Sequence, residues 1–219
     1  MCAIYGSYEK TMFEVLYSAN YPRGTWAGSL VAVDLDNKHH KEQRWEGKAK
    51  IGARMRNFDS DVYLGHCQAP TGDSRKWGIE CTHPFIYEEW QVSHNGVITN
   101  VDELLSKYEC DIKLEVDSDL IPLLLSAFSL TFATPEESIT EALTLLKGTF
   151  AVWIYNSKTC DIYLARQGST LFADKNGNFS SINSKSEWEE VEEGKLFKLT
   201  KDGLEEVGTF KNDTPFFTL

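Results

Sequence analysis

The cysteines of this chain make no pattern. Cys2, Cys67, Cys81, Cys110 and Cys160 are odd in number and irregularly spaced, and no C-x-x-C occurs. That spacing points to neither a zinc site nor a disulfide framework, and it fits a reducing compartment. The N-terminus lacks the basic region and apolar core of a secretory signal. Long apolar runs are missing as well. The longest, Leu120 to Ala133, is interrupted by Pro122, Ser126, Ser129 and Thr131, and is too short and too polar to span a bilayer. Positive charge is scarce, with 22 Lys and Arg against 33 Asp and Glu and a net charge of -11. A surface this acidic argues against nucleic acid or an anionic membrane as partner. There is no Pro-rich or Ser-rich linker, no repeat and no low-complexity segment. The remaining composition, 42% hydrophobic and 25% charged, is that of a soluble globular protein. The expectation is a cytoplasmic chain whose residues 2–219 form a single domain.

What is present begins at the first residues, Met1-Cys2-Ala3-Ile4-Tyr5-Gly6. If Met1 is removed, Cys2 carries a thiol and a free α-amine on one carbon. An α-amine titrates near about 7.7–8.0 and a thiol near about 8.5, so the amine can serve as base for the thiol near neutral pH. One residue then supplies both nucleophile and base, the logic of the N-terminal threonine variant of the catalytic triad. A lone cysteine is otherwise a small packing residue, so the rest of the chain must decide.

Periodicity places a short strand over 2–5, a helix over 8–17, a strand over 29–34 with a turn at Asp34–Lys38, and a strand over 61–68. His39 and His40 follow the turn, point to opposite sides of a strand and read as solvated. A strand over 89–97 is interrupted by Ser93-His94-Asn95 and closed by Gly96. Asn100 is expected to cap a short helix, with Glu103 in the capping-box position. A second helix begins near Asp117-Ser118-Asp119 with Pro122 in its first turn, where a missing N–H is tolerated. Its residues Leu120, Ile121, Leu123, Leu124, Leu125 and Phe128 leave little polar face, so it should be covered on most sides. A third helix runs from Thr134-Pro135-Glu136 to Lys147, with Gly148 as its stop. Thereafter the pattern is strands: 149–155 and 161–166, then 170–173 and 179–182 around Asp174-Lys175-Asn176-Gly177, then 196–199 and 205–207 around Lys201-Asp202-Gly203. Strands, helices and strands again predict antiparallel sheets with helices segregated to the outside.

Several segments, in order, resemble the glutaminase domain of class II glutamine amidotransferases, which are N-terminal-nucleophile hydrolases. Cys2-Ala3-Ile4-Tyr5-Gly6 resembles the family's Cys-Gly-Ile-x-Gly start, and Arg23-Gly24 through Ala32-Val33 its Arg-Gly-x-Asp-Ser-x-Gly-Val-Ala-Val. Gly65-His66-Cys67-Gln68-Ala69-Pro70-Thr71 stands where the family reads Gly-His-Thr-Arg-Trp-Ala-Thr. His83-Pro84, then His94-Asn95-Gly96-Val97-Ile98-Thr99-Asn100, resemble His-Pro and His-Asn-Gly-Ile-Ile-x-Asn. Asp117-Ser118-Asp119-Leu120-Ile121 resembles Asp-Thr-Glu-Val-Ile, and Ala165-Arg166-Gln167-Gly168-Ser169 resembles Ala-Arg-x-Gly-Ser. Each piece alone is common; the ordered set, over essentially the whole chain, is specific.

The resemblance implies an α+β fold, the four-layer αββα sandwich with two antiparallel sheets inside and helices outside. It implies that Cys2 attacks the side-chain amide of glutamine, forming a thioester that water resolves to glutamate after ammonia leaves. It assigns the oxyanion donors to the Asn95 side chain and the Gly96 N–H, and places Arg23 near the nucleophile. Asp117 would hold the substrate α-ammonium, and Gln68, Thr71, His83 and His94 would lie at the substrate site. His66, His83 and His94 are expected to pack and hydrogen-bond rather than bind metal, and neither cofactor nor metal is implied. From the residues alone, Asn95-Gly96 also reads as a hairpin turn, Asp117 as a helix cap and Arg23 as a solvated charge.

Two departures stand out. Gln68 replaces the arginine that clamps the substrate carboxylate. A hydrogen bond to a charged group contributes roughly 1.5–3 kcal/mol against about 0.5–1.5 for a neutral one, so the swap costs roughly 1–2 kcal/mol, about 5–30-fold in binding. Arg75 or Lys76 nearby can supply the charge, or the substrate is another amide. Ala69 replaces a tryptophan and opens the pocket. The chain also stops at Leu219 with no ammonia-consuming synthase, so the expectation is either a separate synthase subunit as partner or release of ammonia to solvent. Three readings remain: a glutaminase or amidotransferase subunit, an N-terminal-cysteine amidase for a different amide, and a non-catalytic module, which retained Met1 would favour by blocking the amine.

Overall fold

The computed structural model describes residues 1–69 and 78–212. In chain order its elements are β1 (Ala3–Ser7), α1 (Lys10–Asn20), β2 (Ala27–Asp34), β3 (His39–Glu46), α2 (Ile51–Arg54), β4 (Val62–Gln68), β5 (Phe85–Tyr87), β6 (Trp90–Ile98) and α3 (Val101–Lys107). They continue with α4 (Leu120–Phe128), α5 (Pro135–Leu145), β7 (Gly148–Asn156), β8 (Asp161–Gln167), β9 (Phe172–Ala173), β10 (Phe179–Ser180), β11 (Glu189–Glu190), β12 (Lys195–Thr200) and β13 (Gly203–Thr209). The strands form two antiparallel sheets, ordered β11-β9-β10-β1-β4-β2-β3 and β13-β12-β8-β7-β6-β5. No described helix is long and apolar enough to cross a membrane.

Three apolar layers hold the sheets in place. Ile4, Val31, Val33, Val62 and Leu64 of the first sheet meet Ala151, Trp153, Tyr155, Ile162 and Leu164 of the second. Phe13, Leu16 and Tyr17 of α1 cover the outer face of the first sheet against Tyr5, Leu30 and Tyr63. Leu120, Ile121, Leu124, Ile139 and Leu143 of α4 and α5 cover the second against Val92, Phe150, Val152 and Tyr163. Alternation explains this order, because successive side chains on a strand face opposite ways. The result is the expected αββα sandwich. β1 lies near the middle of its sheet, between β10 and β4, and its five residues are all buried.

Several expectations need correction. Asn100 makes no side-chain cap for α3. Its Nδ2 instead donates to Leu145 O at 2.9 Å, and its Oδ1 accepts from Lys147 N at 2.8 Å. It therefore serves one carbonyl and one N–H at the far end of α5, while Glu103 pairs with Lys147 at 2.8 Å. Gly148 does not stop α5, which ends at Leu145; Leu146 turns to ψ 140 and buries its side chain. Gly148 opens β7 at φ 129, where it passes too close to the Val97 carbonyl to carry a Cβ. Ser93-His94-Asn95 does not interrupt β6, because the polar residues alternate faces within a continuous strand. His40 is not solvated: it is half-buried, with Nε2 2.7 Å from Gln91 Nε2 and its ring edge-on to Tyr155. His39 is exposed as expected. The capping box of α5 at Thr134 and Glu137 is present.

Candidate active site

The N-terminal end of β1 opens into a cavity of about 360 Å³ between the two sheets. Cys2, Arg23, Gln68, His83, His94, Asn95, Gly96 and Asp117 all line it. Of the residues placed at the site from the sequence, Thr71 lies outside the described residues, as do Arg75 and Lys76; the eight just named meet here.

Pairing places Cys2. Ala3 is opposite Cys67 on β4, so Cys2 sits one residue beyond the last pair, half-buried, with Sγ 3.6 Å from Ala69 O. Met1 is 80% exposed at the cavity mouth. Arg23 closes a 3-10 turn over Tyr21–Arg23; its Nη1 donates to Ser181 O at 3.1 Å and its Nη2 lies 3.7 Å from Met1 Sδ. Burial lowers the Arg23 pKa, and the nearby Cys2 thiol opposes that shift. A thiolate at Cys2 therefore has a guanidinium in electrostatic range. Cys67 is a different kind of thiol: burial pushes it up to about 12, so it is inert at neutral pH.

β6 supplies the opposite wall. Asn95 pairs with Ala151 and Gly96 with Phe150. Asn95 Nδ2 donates to Ser181 Oγ at 3.4 Å. Gly96 has φ 154, and a Cβ there would stand 2.7 Å from Thr149 C and from His94 Nε2. Glycine is required because β7 approaches so closely, and Gly96 lines the cavity. The pair lies within a strand, not in a hairpin turn.

Asp117 stands in a 3-10 turn over Asp117–Asp119, and its Oδ2 accepts from Ile98 N at 2.8 Å. His94 binds this turn to the sheet, with Nε2 3.2 Å from Thr149 O and Nδ1 2.8 Å from Ser118 Oγ. Since a carbonyl only accepts, the proton is assigned to Nε2 and the Ser118 hydroxyl donates to Nδ1. His66 is fully buried, its ring 4.0 Å from that of His83, and burial drives its pKa down to about 3, so it is neutral.

Gln68 is 2% exposed, and its amide is engaged by the neighbouring loop. Nε2 donates to Cys81 O at 2.9 Å, and Oε1 accepts from His83 N at 3.3 Å. Arg44 of β3 steadies the same loop from outside, its Nη1 and Nη2 each donating at 2.8 Å to Thr82 O and Pro84 O. Arg44 was not singled out from the sequence, and neither was Ser181; a serine after a short strand carries no pattern that marks it. Among the described residues, no three His, Cys, Asp or Glu side chains gather as metal ligands.

A cysteine at the end of a central strand faces an Asn-Gly pair across two packed sheets, an arrangement similar to that of class II glutamine amidotransferases with the N-terminal-nucleophile fold. Residues 79–185 match the family described as Glutamine amidotransferase domain. More particularly, the chain is similar to glutamine–fructose-6-phosphate aminotransferase (isomerizing) of Staphylococcus aureus, 26% identical over 218 residues, covering 92% of this chain and 36% of that protein. It thus spans about a third of the length of that relative. Among solved structures it is similar to the glutamine phosphoribosylpyrophosphate amidotransferase from B. subtilis, with TM-score 0.75 and 18% identity, covering 97% of this chain and 50% of that one. It is also similar to a glutamine aminotransferase class-II domain protein from Silicibacter pomeroyi, with TM-score 0.59 and 14% identity, covering 96% and 99%.

Proposed function

We propose that this chain hydrolyses the side-chain amide of glutamine through a Cys2 thioester and delivers the ammonia to a separate synthase. The observation that carries this reading is the convergence of Cys2, Asn95, Gly96 and Asp117 on one cavity. Removal of Met1 frees the Cys2 amine. The amine accepts the thiol proton, and the thiolate attacks the amide carbon. Asn95 Nδ2 and the Gly96 N–H stabilise the oxyanion of the tetrahedral intermediate. The proton passes to the leaving nitrogen, ammonia departs, and a thioester remains. Water, deprotonated by the same amine, attacks the thioester; the thiol leaves reprotonated and glutamate is released. Asp117 offers the carboxylate that meets the substrate α-ammonium.

The test combines intact mass with a glutamine-like diazo-ketone. Loss of Met1 and labelling of Cys2 alone are expected. Labelling of Cys67 or Cys81 with Cys2 untouched refutes the assignment. A second reading, an amide without an α-carboxylate, is favoured by one observation: the Gln68 amide is already bound to the 81–83 loop. Turnover of such an amide with no measurable glutamine binding selects that reading.

A further inference from the structure

Four segments that build the cavity converge on one residue that the proposed reaction has not used. Ser181 follows β10 and is 1% exposed. Its hydroxyl oxygen accepts from Ile4 N at 2.9 Å and from Asn95 Nδ2 at 3.4 Å. Its carbonyl accepts from Arg23 Nη1 at 3.1 Å and from Thr170 Oγ1 at 2.8 Å. Its own N–H donates to Ile4 O at 2.8 Å. We propose that Ser181 is a positioning residue whose hydroxyl fixes the Asn95 carboxamide relative to the strand that carries Cys2. The inference deepens the proposed amide hydrolysis and rests on it.

The argument is geometric. A carboxamide is planar, and its nitrogen carries two hydrogens in fixed directions. With one held by Ser181 Oγ, the direction of the other is set. Without that anchor the terminal torsion of an asparagine is broad, and a donor that must reorganise during the reaction stabilises an oxyanion less than one already aimed. At 3.4 Å the bond is long for N–H···O, as is common in unliganded sites, where such bonds tighten as the transition state forms. The same oxygen accepts the Ile4 N–H. Nucleophile strand and oxyanion donor therefore share one anchor, although 91 residues separate Ile4 from Asn95 in the chain. The contacts to Arg23, Thr170 and Ile4 O use the Ser181 backbone and persist in Ser181→Ala, so that variant isolates the hydroxyl.

The test is a double-mutant cycle on glutamine hydrolysis with Ser181→Ala, Asn95→Ala and their combination. Ser181→Ala is expected to lower kcat about tenfold or more, short of the roughly 10²–10³-fold that loss of an oxyanion donor costs. Its KM should stay within about twofold, because the interaction matters only in the transition state. The double variant should fall no further than Asn95→Ala, because Ser181 acts through Asn95. An unmoved kcat in Ser181→Ala, or losses that multiply in the double variant, overturns the positioning role while leaving the proposed hydrolysis standing. If Ser181→Ala fails to fold, Ser181→Cys, which keeps the shape with a weaker acceptor, carries the same cycle. A wild type that neither turns over glutamine nor labels at Cys2 refutes the hydrolysis itself, and this role with it.

Discussion

Replacing Gly96 by alanine tests whether the oxyanion wall is built by the close approach of two strands. Gly96 lies in β6 opposite Phe150 of β7, at φ 154. An added Cβ would stand 2.7 Å from Thr149 C and from His94 Nε2, and nearer still to Thr149 O. Non-bonded carbons rest at about 3.5–4.0 Å, so by that measure the strands must part by roughly 1 Å. A side chain at positive φ costs roughly 1–2 kcal/mol. Overpacking adds about 1–3, and each ladder hydrogen bond lost adds about 1. The sum, about 3–6 kcal/mol, is a large share of the roughly 5–15 kcal/mol that holds a domain folded. At about 2–4 °C per kcal/mol for a chain of this size, Tm should drop by roughly 6 °C or more. Glutamine turnover should fall about 10²–10³-fold with the displaced donor. Gly47→Ala is the internal control, since Gly47 also has positive φ, 65, but among the described residues no heavy atom beyond its chain neighbours lies within 4 Å of the new Cβ. Its cost of roughly 1–2 kcal/mol is partly offset by about 0.4–1 from the stiffened unfolded chain, so the net is at most about 1.6 kcal/mol and Tm should fall by no more than about 6 °C, at most about half the Gly96→Ala shift. Calorimetry on both variants decides. A Gly96→Ala protein that melts like Gly47→Ala and hydrolyses glutamine normally refutes the close-approach argument.

Asp117→Asn keeps an oxygen for the Ile98 N–H but removes the charge offered to the substrate α-ammonium. KM for glutamine should rise about 5–30-fold with kcat nearly unchanged, and an unaltered KM would show that Asp117 serves only to hold the Ile98 N–H. Gln68→Ala releases Cys81 O and His83 N. If Gln68 organises the pocket wall rather than gripping substrate, Arg44→Ala should raise KM in the same direction, and a KM that responds to Gln68→Ala alone would show direct binding instead. His66 is neutral in the fold, with a pKa of about 3 against 6.5 in the unfolded chain. The unfolded state therefore binds the proton first as pH falls, and stability that is complete above about 6.5 is lost progressively toward about 3. Between pH 7 and 5 this amounts to about 2 kcal/mol. Urea unfolding of wild type and His66→Gln at both values should show that difference only in the wild type.

Much of the sandwich was legible because its strands and helices carry clean periods. The hairpin at Asp174-Lys175-Asn176-Gly177 was readable from its turn chemistry, and Gly177 indeed sits at φ 73. β3 was missed because His39-His40-Lys41-Glu42-Gln43-Arg44-Trp45-Glu46 forms a sheet edge; mostly polar, it buries only Trp45 deeply. Asn100 was misread because its flanking residues suit a helix start, whereas its actual partners, Leu145 and Lys147, are over forty residues away and invisible to local pattern. In the site, Cys2, Arg23, Asn95, Gly96 and Asp117 were recognisable through resemblance. Ser181 and Arg44 were not, since they touch the site through backbone groups and other side chains, and neither stands in a motif.

β1 is a central strand, and its neighbours are made at very different times. β4 follows within about sixty residues, but β10 pairs Phe179 and Ser180 with Gly6 and Tyr5 across a far longer stretch of chain. At a synthesis rate of roughly 5–20 residues per second, some 180 residues take about 10–35 s to appear. For that interval one edge of β1, and the Ile4 groups that Ser181 later takes, have no partner yet to meet. Removal of Met1, which the proposed chemistry requires, thus has its widest opportunity on the nascent chain, before the last strands arrive. On the proposed chemistry, the order in which the strands are synthesised sets how long residue 2 stays open to processing.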